Sequence, residues 1–138
     1  MKQFAWIALL FLLLAPLACN QKFKKVSANE ITGTVTVSQE LMDKVEENNA
    51  VFIIAKDDFG PPVAVKRLQN VTFPLEFNLT EADAMTPGNS LQGPVKVSVR
   101  IDKDGSANPL SPGDLWGEIE NVYPGKSVAV VIDKEFSR

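Results

Sequence analysis

The sequence predicts an all-β sandwich of about seven antiparallel strands with one or two short helical turns. Three observations lead there. Apolar side chains between residues 30 and 133 recur mostly at every second position, which is the period of a half-buried strand. Clusters of turn formers interrupt that alternation at short intervals. Helical spacing is confined to two brief segments, 39–47 and 81–85.

The elements follow in order. Ile31, Val35 and Val37 open the series, and Gln39 to Glu47 suits one or two helical turns. Val51-Phe52-Ile53-Ile54-Ala55 is wholly apolar, as a central strand buried on both faces would be. The Asp57-Asp58-Phe59-Gly60 and Pro61-Pro62 cluster turns the chain into a strand carrying Val63, Val65 and Leu68. Phe73, Leu75, Phe77 and Leu79 alternate cleanly before a second helical turn at Glu81 to Met85. Val95, Val97, Val99 and Ile101 form the next strand, with Lys96, Ser98 and Arg100 interleaved and expected to face water. Asp104-Gly105, Pro112-Gly113-Asp114 and Pro124-Gly125 then punctuate two last strands, Leu115 to Val122 and Val128 to Ile132.

The chain has 138 residues, enough for one domain whose core needs no disulfide or metal staple. It contains no histidine and one cysteine. The usual general base, the commonest transition-metal ligand and any internal disulfide are therefore missing from its chemistry. Residues 30–138 carry 10 basic and 17 acidic side chains, a net charge of −7, which disfavours a phosphate backbone and makes nucleic acid a poor partner, so none is expected.

The N-terminus reads as a processing signal. Lys2 precedes an uncharged stretch from Phe4 to Ala18, shorter than the ~20 apolar residues of a spanning helix. Ala15-Pro16-Leu17-Ala18-Cys19 resembles the bacterial lipobox, whose cysteine becomes the lipidated N-terminus of the mature chain. The expected organisation is a signal peptide over 1–18, lipidated Cys19 with a basic tether over 19–29 (Lys22, Lys24, Lys25), and one domain over 30–138. Asn20 after the cysteine implies, by the same resemblance, sorting to the outer membrane.

Candidate catalytic chemistry is sparse. Asp102-Lys103-Asp104-Gly105 begins like a calcium loop, yet lacks the third donor and closing glutamate, and reads as a hairpin turn. Gly88-Asn89-Ser90-Leu91-Gln92 lacks the final glycine of a nucleophile elbow and has no histidine to serve it. Glu46-Glu47 and Asp57-Asp58 are adjacent pairs whose side chains point apart, as solvated surface does. The expectation is a non-enzyme without cofactor or metal. Three residues are candidate partner contacts: Phe59 in its turn, Met85, and Trp116 beside Pro112-Gly113-Asp114. Met85 could equally fill a packing gap, and Trp116 could cover one end of the core.

Several stretches occur together in a distinctive order: Val51 to Lys56, Gly60-Pro61-Pro62-Val63, Phe73-Pro74, Ala84-Met85-Thr86-Pro87, Val97 to Ile101, Pro112-Gly113-Asp114-Leu115-Trp116-Gly117, and the closing Ile132-Asp133. With these, residues 31–133 resemble the C-terminal immunoglobulin-like domain of the CcmI/CycH family, which takes part in c-type cytochrome biogenesis. The resemblance implies an Ig-like sandwich acting as a periplasmic binding module through protein–protein contacts, with apocytochrome c or maturation proteins as partners and the membrane reached through a lipid anchor. The alternative is a structural envelope lipoprotein or generic docking platform with no cytochrome link.

Overall fold

A computed structural model describes residues 25–87, 91–106 and 109–137. Eight strands are found among them: β1 (Ile31–Val37), β2 (Ala50–Lys56), β3 (Pro62–Gln69), β4 (Leu75–Leu79), β5 (Val95–Asp102), β6 (Leu115–Val122), β7 (Ser127–Ile132) and β8 (Lys134–Glu135). Two short 3-10 turns, Met42–Lys44 and Glu81–Asp83, fall inside the two segments with helical spacing.

The strands form two sheets, one ordered β4-β1-β7 and the other β3-β2-β5-β6-β8. Alternation decides which side chains meet between them. Ile31, Val35, Val130 and Ile132 from the smaller sheet and Val51, Ile53, Val97, Val99 and Leu115 from the larger are buried in one continuous core. The apolar run at Val51 to Ala55 is indeed an interior strand, paired with β3 on one side and β5 on the other.

Two features depart from the expected pattern. The pairing of β1 with β7 is parallel, whereas every other pair is antiparallel. A side-chain pattern with period two specifies a face but carries no information about neighbour direction, so this pairing had no sequence signal. Beyond Asp133 the chain also leaves the smaller sheet and pairs with Leu115 and Trp116 of β6, adding a two-residue strand too short to show alternation.

The sandwich closes differently along its two sides. On one, β7 crosses Gly117 of β6 so tightly that a Cβ there would lie 1.9 Å from the Val131 carbonyl oxygen. Only a residue without a side chain permits that approach. On the other side Lys66 of β3 reaches across to β4, donating to the Asn78 carbonyl and, at 3.0 Å, to Asn78 Oδ1. It also pairs with Asp83 Oδ2 at 3.2 Å. Asp83 in turn accepts from the Thr80 amide at 2.9 Å, completing a capping box on the 3-10 turn.

Candidate functional site

The outer face of the five-stranded sheet holds an ordered row. Strand register places Arg67 opposite Phe52, Phe52 opposite Arg100, Arg100 opposite Trp116, and Trp116 opposite Lys134. Cations and aromatic rings thus alternate across all five strands. The Arg67 guanidinium lies 5.8 Å from the Phe52 ring centroid and Lys134 Nζ lies 4.2 Å from that of Trp116, both within cation–π range.

Arg100 does not face water, contrary to its place in the alternation, and is only 7% exposed. The segment between β5 and β6 folds back over this face, bringing Leu110 beside Arg100 and Trp116. Three aspartates pin that segment. Buried Asp114 accepts from the Lys103 amide at 3.2 Å and the Ser111 amide at 2.8 Å. Asp102 Oδ1 accepts from the amides of Asp104 and Ser106 at 3.0 and 3.1 Å, and Asp104 Oδ1 takes the Ser106 amide at 2.9 Å. Carboxylates spent on consecutive amides are turn builders, and Asp102 to Gly105 is such a turn. Among the described residues no group of three or more acidic or cysteine side chains is placed to hold a metal ion.

Burial raises the Asp102 carboxyl above its ordinary range, reinforced by a hydrogen bond with Asp104. That same bond, with the Ser106 amide, holds Asp104 below its own. Burial penalises the charged form of Asp102 while hydrogen bonds favour that of Asp104, so the two neighbours are driven apart. Near the other end of the sheet, Lys96 pairs with Glu120 at 3.0 Å and Glu118 at 3.8 Å, and the hydrogen bond to Glu120 is the main cause of its raised pKa.

A second surface forms where loops gather. The β2–β3 turn, the segment after β4, the β6–β7 turn and the start of β1 lie at one end, as the register of Lys56 with Lys96, Val95 with Val122, Ile31 with Leu79 and Thr32 with Ser127 requires. Phe59, Met85 and Tyr123 stand there 94%, 60% and 52% exposed. Gly125 donates to the Glu30 carbonyl at 2.7 Å, so the chain enters the domain at this same end.

The three residues singled out from the sequence therefore separate. Phe59 and Met85 lie at the loop end, while Trp116 lies half-buried on the outer sheet face beneath Lys134. Neither Met85 nor Trp116 is part of the core between the sheets. The Met85 amide donates to the Val63 carbonyl at 2.9 Å and Ala84 bridges Ala64, so this segment covers part of the β3 edge. Cys19 and the polar segment at Gly88 to Ser90 lie outside the described residues. Tyr123 and Arg100 were missed in the sequence. Tyr123 precedes Pro124-Gly125, a turn cluster whose aromatic neighbour was the available signal. Among the described residues no helix is long and apolar enough to cross a membrane.

The family described as the cytochrome c-type biogenesis protein H Ig-like domain matches residues 31–133, the span from β1 to the strand switch at Asp133. An uncharacterized protein of Aquifex aeolicus is 29% identical over 118 residues, covering 84% of this chain and 76% of that protein. The cytochrome c-type biogenesis protein CycH of Pseudomonas aeruginosa is 36% identical over 81 residues, 56% of this chain but only 20% of CycH. A solved structure of an alternative pilotin from the type II secretion system of Vibrio cholerae aligns with a TM-score of 0.47 at 22% identity, covering 75% of this chain and 93% of that one.

Proposed function

This chain belongs to the cytochrome c-type biogenesis protein H Ig-like domain family, and on that premise we propose that it is a periplasmic lipoprotein that serves c-type cytochrome biogenesis as a binding module. The observation that carries the reading is the extent of the family match, which takes in β1 to β7. In this reading residues 1–18 direct export, Cys19 carries the lipid on the outer membrane, residues 19–29 are a basic tether, and the domain over 30–138 works by contact alone. It catalyses nothing.

The contact surface is the loop end carrying Phe59, Met85 and Tyr123. Large side chains exposed together on an otherwise polar surface favour a partner over solvent. The domain's net charge of −7 suits basic partners such as apocytochrome c or a maturation protein, and would speed their encounter. Deleting the gene in its host and staining envelope proteins for covalently bound haem tests this. Loss of stained c-type cytochromes, restored by the gene, is expected. Unchanged staining overturns the cytochrome link and leaves a structural envelope lipoprotein.

A further inference from the structure

We propose that the side-chain amide of Asn49 holds one internal water molecule in a small void at the end of the core opposite the loop end. The water accepts a hydrogen bond from Nδ2 and donates one to Oδ1 of the same amide.

Asn49 is the reason to expect it. The residue is 4% exposed, and among the described residues its Oδ1 and Nδ2 have no hydrogen-bond partner. Buried amide groups are nearly always paired, either with protein or with ordered water. The backbone holds this one in place, because the Asn49 carbonyl accepts from the Asn70 amide at 3.2 Å just where β2 begins. Two residues before Val51, Asn49 continues the row of inner-face positions. Val51 stands opposite Ile101, and Ile101 opposite Leu115, so a polar side chain is carried into an apolar end of the core.

The surroundings select the ligand. Ile101 and Leu115 line the void beside Asn49, and its volume is about 10 Å³, the room that a single water needs. Lys44 and Lys103 are also in the lining, so a cation would meet two like charges as well as the Nδ2 hydrogens. An anion would meet Oδ1 and the Glu46 carboxylate. A neutral molecule that both donates and accepts suits both amide atoms, and the size of the void leaves water. In a primary amide the oxygen and one N–H point to the same side, so one water closes a ring of two hydrogen bonds with them. The ring forms equally well with the amide turned over. Phe59, Met85 and Tyr123 lie at the other end of the strands, where Lys56 meets Lys96, so the inference does not depend on the cytochrome link.

Oxygen-17 magnetic relaxation dispersion of the full-length protein, in micelles of a zwitterionic detergent, counts its long-lived waters. Asn49→Leu fills the void with apolar atoms and should lose one of them while its circular dichroism stays that of the parent. In the parent protein the Asn49 Nδ2 protons should show a dipolar cross-peak to water. A folded Asn49→Leu protein with the parent's dispersion overturns the proposal. So does a missing cross-peak in the parent, which decides the matter even where the leucine variant does not fold. Replacing sodium by tetramethylammonium at constant ionic strength should leave the Nδ2 resonances where they are, and a shift would assign the void to a cation and overturn the water.

Discussion

Gly117 and Val131 meet so closely that the Val131 backbone fills the space a side chain on Gly117 would take: a Cβ on Gly117 would stand 1.9 Å from the Val131 carbonyl oxygen and 2.7 Å from its carbon. Both contacts are to backbone, which cannot rotate away. Gly117→Ala should therefore force β7 outward and destabilise the domain by about 3 kcal/mol. Urea unfolding followed by circular dichroism measures it, and a midpoint unchanged from the parent protein would show that β7 yields freely.

Lys66 closes the opposite side of the sandwich through Asn78 and Asp83. Replacing it with methionine keeps most of the stem and leaves Asp83, itself 14% exposed, without its cation. A loss of about 2 kcal/mol is expected. Lys66→Met combined with Asp83→Asn should recover part of it, and purely additive losses would mean that the pair does not interact.

The carboxyls of Asp102 and Asp104 predict a pH dependence with two opposite parts. Asp102 has a folded pKa raised above the ordinary 3.8, so its ionisation weakens the fold at neutral pH, and this penalty fades as pH falls toward 3.8. Asp104 is lowered below 3.8, so its contribution is present above that value and is lost only at more acidic pH. Asp102→Asn keeps an oxygen for the amides of Asp104 and Ser106 and removes the charge. Its stability relative to the parent should be most favourable at pH 7 and shrink as pH falls toward 4. Urea midpoints across that range decide it, and a constant difference would mean that Asp102 does not titrate there.

Phe59 is almost wholly solvated. Phe59→Ser should change stability by no more than about 0.5 kcal/mol. If the loop end is the contact surface, the same substitution should weaken capture of the physiological partner by about 2 kcal/mol. Complementation of the gene deletion by the Phe59→Ser protein reads this out, and full complementation would move the contact elsewhere.

Lys134→Ala should remove the cation over Trp116, at a cost of about 0.5–1 kcal/mol, and expose the ring. In a chain whose Trp6 is replaced by phenylalanine, the Trp116 emission should shift to longer wavelength and iodide should quench it more. Unchanged emission would mean that Lys134 does not shield the ring.

Most strands were legible because they bury one face, and β2 because it is a continuous apolar run. Ile31, Val35, Val97 and Val99 announce theirs by period two, and the Thr80 to Asp83 capping pair marks a turn that helical spacing also found. Arg100 was not legible, because its burial comes from the β5–β6 loop that Asp102 and Asp114 fold back over the sheet, which period-two alternation does not encode. Lys66 reads as ordinary surface, yet it sits on the inner face where two sheet edges part, and only the pairing of Lys66 with Ile53 reveals that. Phe59 and Met85 could be flagged singly as exposed candidates. Their gathering with Tyr123 depends on strand register, which turn residues do not encode.

The parallel ladder between β1 and β7 has a mechanical side. β1 begins at the end where the chain enters, and β7 runs alongside it toward the opposite end. Tension drawn from the N-terminus against the C-terminus would load this ladder lengthwise, so its bonds must yield together in shear and cannot be unzipped one by one. A domain stretched between two attachments would keep its shape under pulling that would peel an edge hairpin apart.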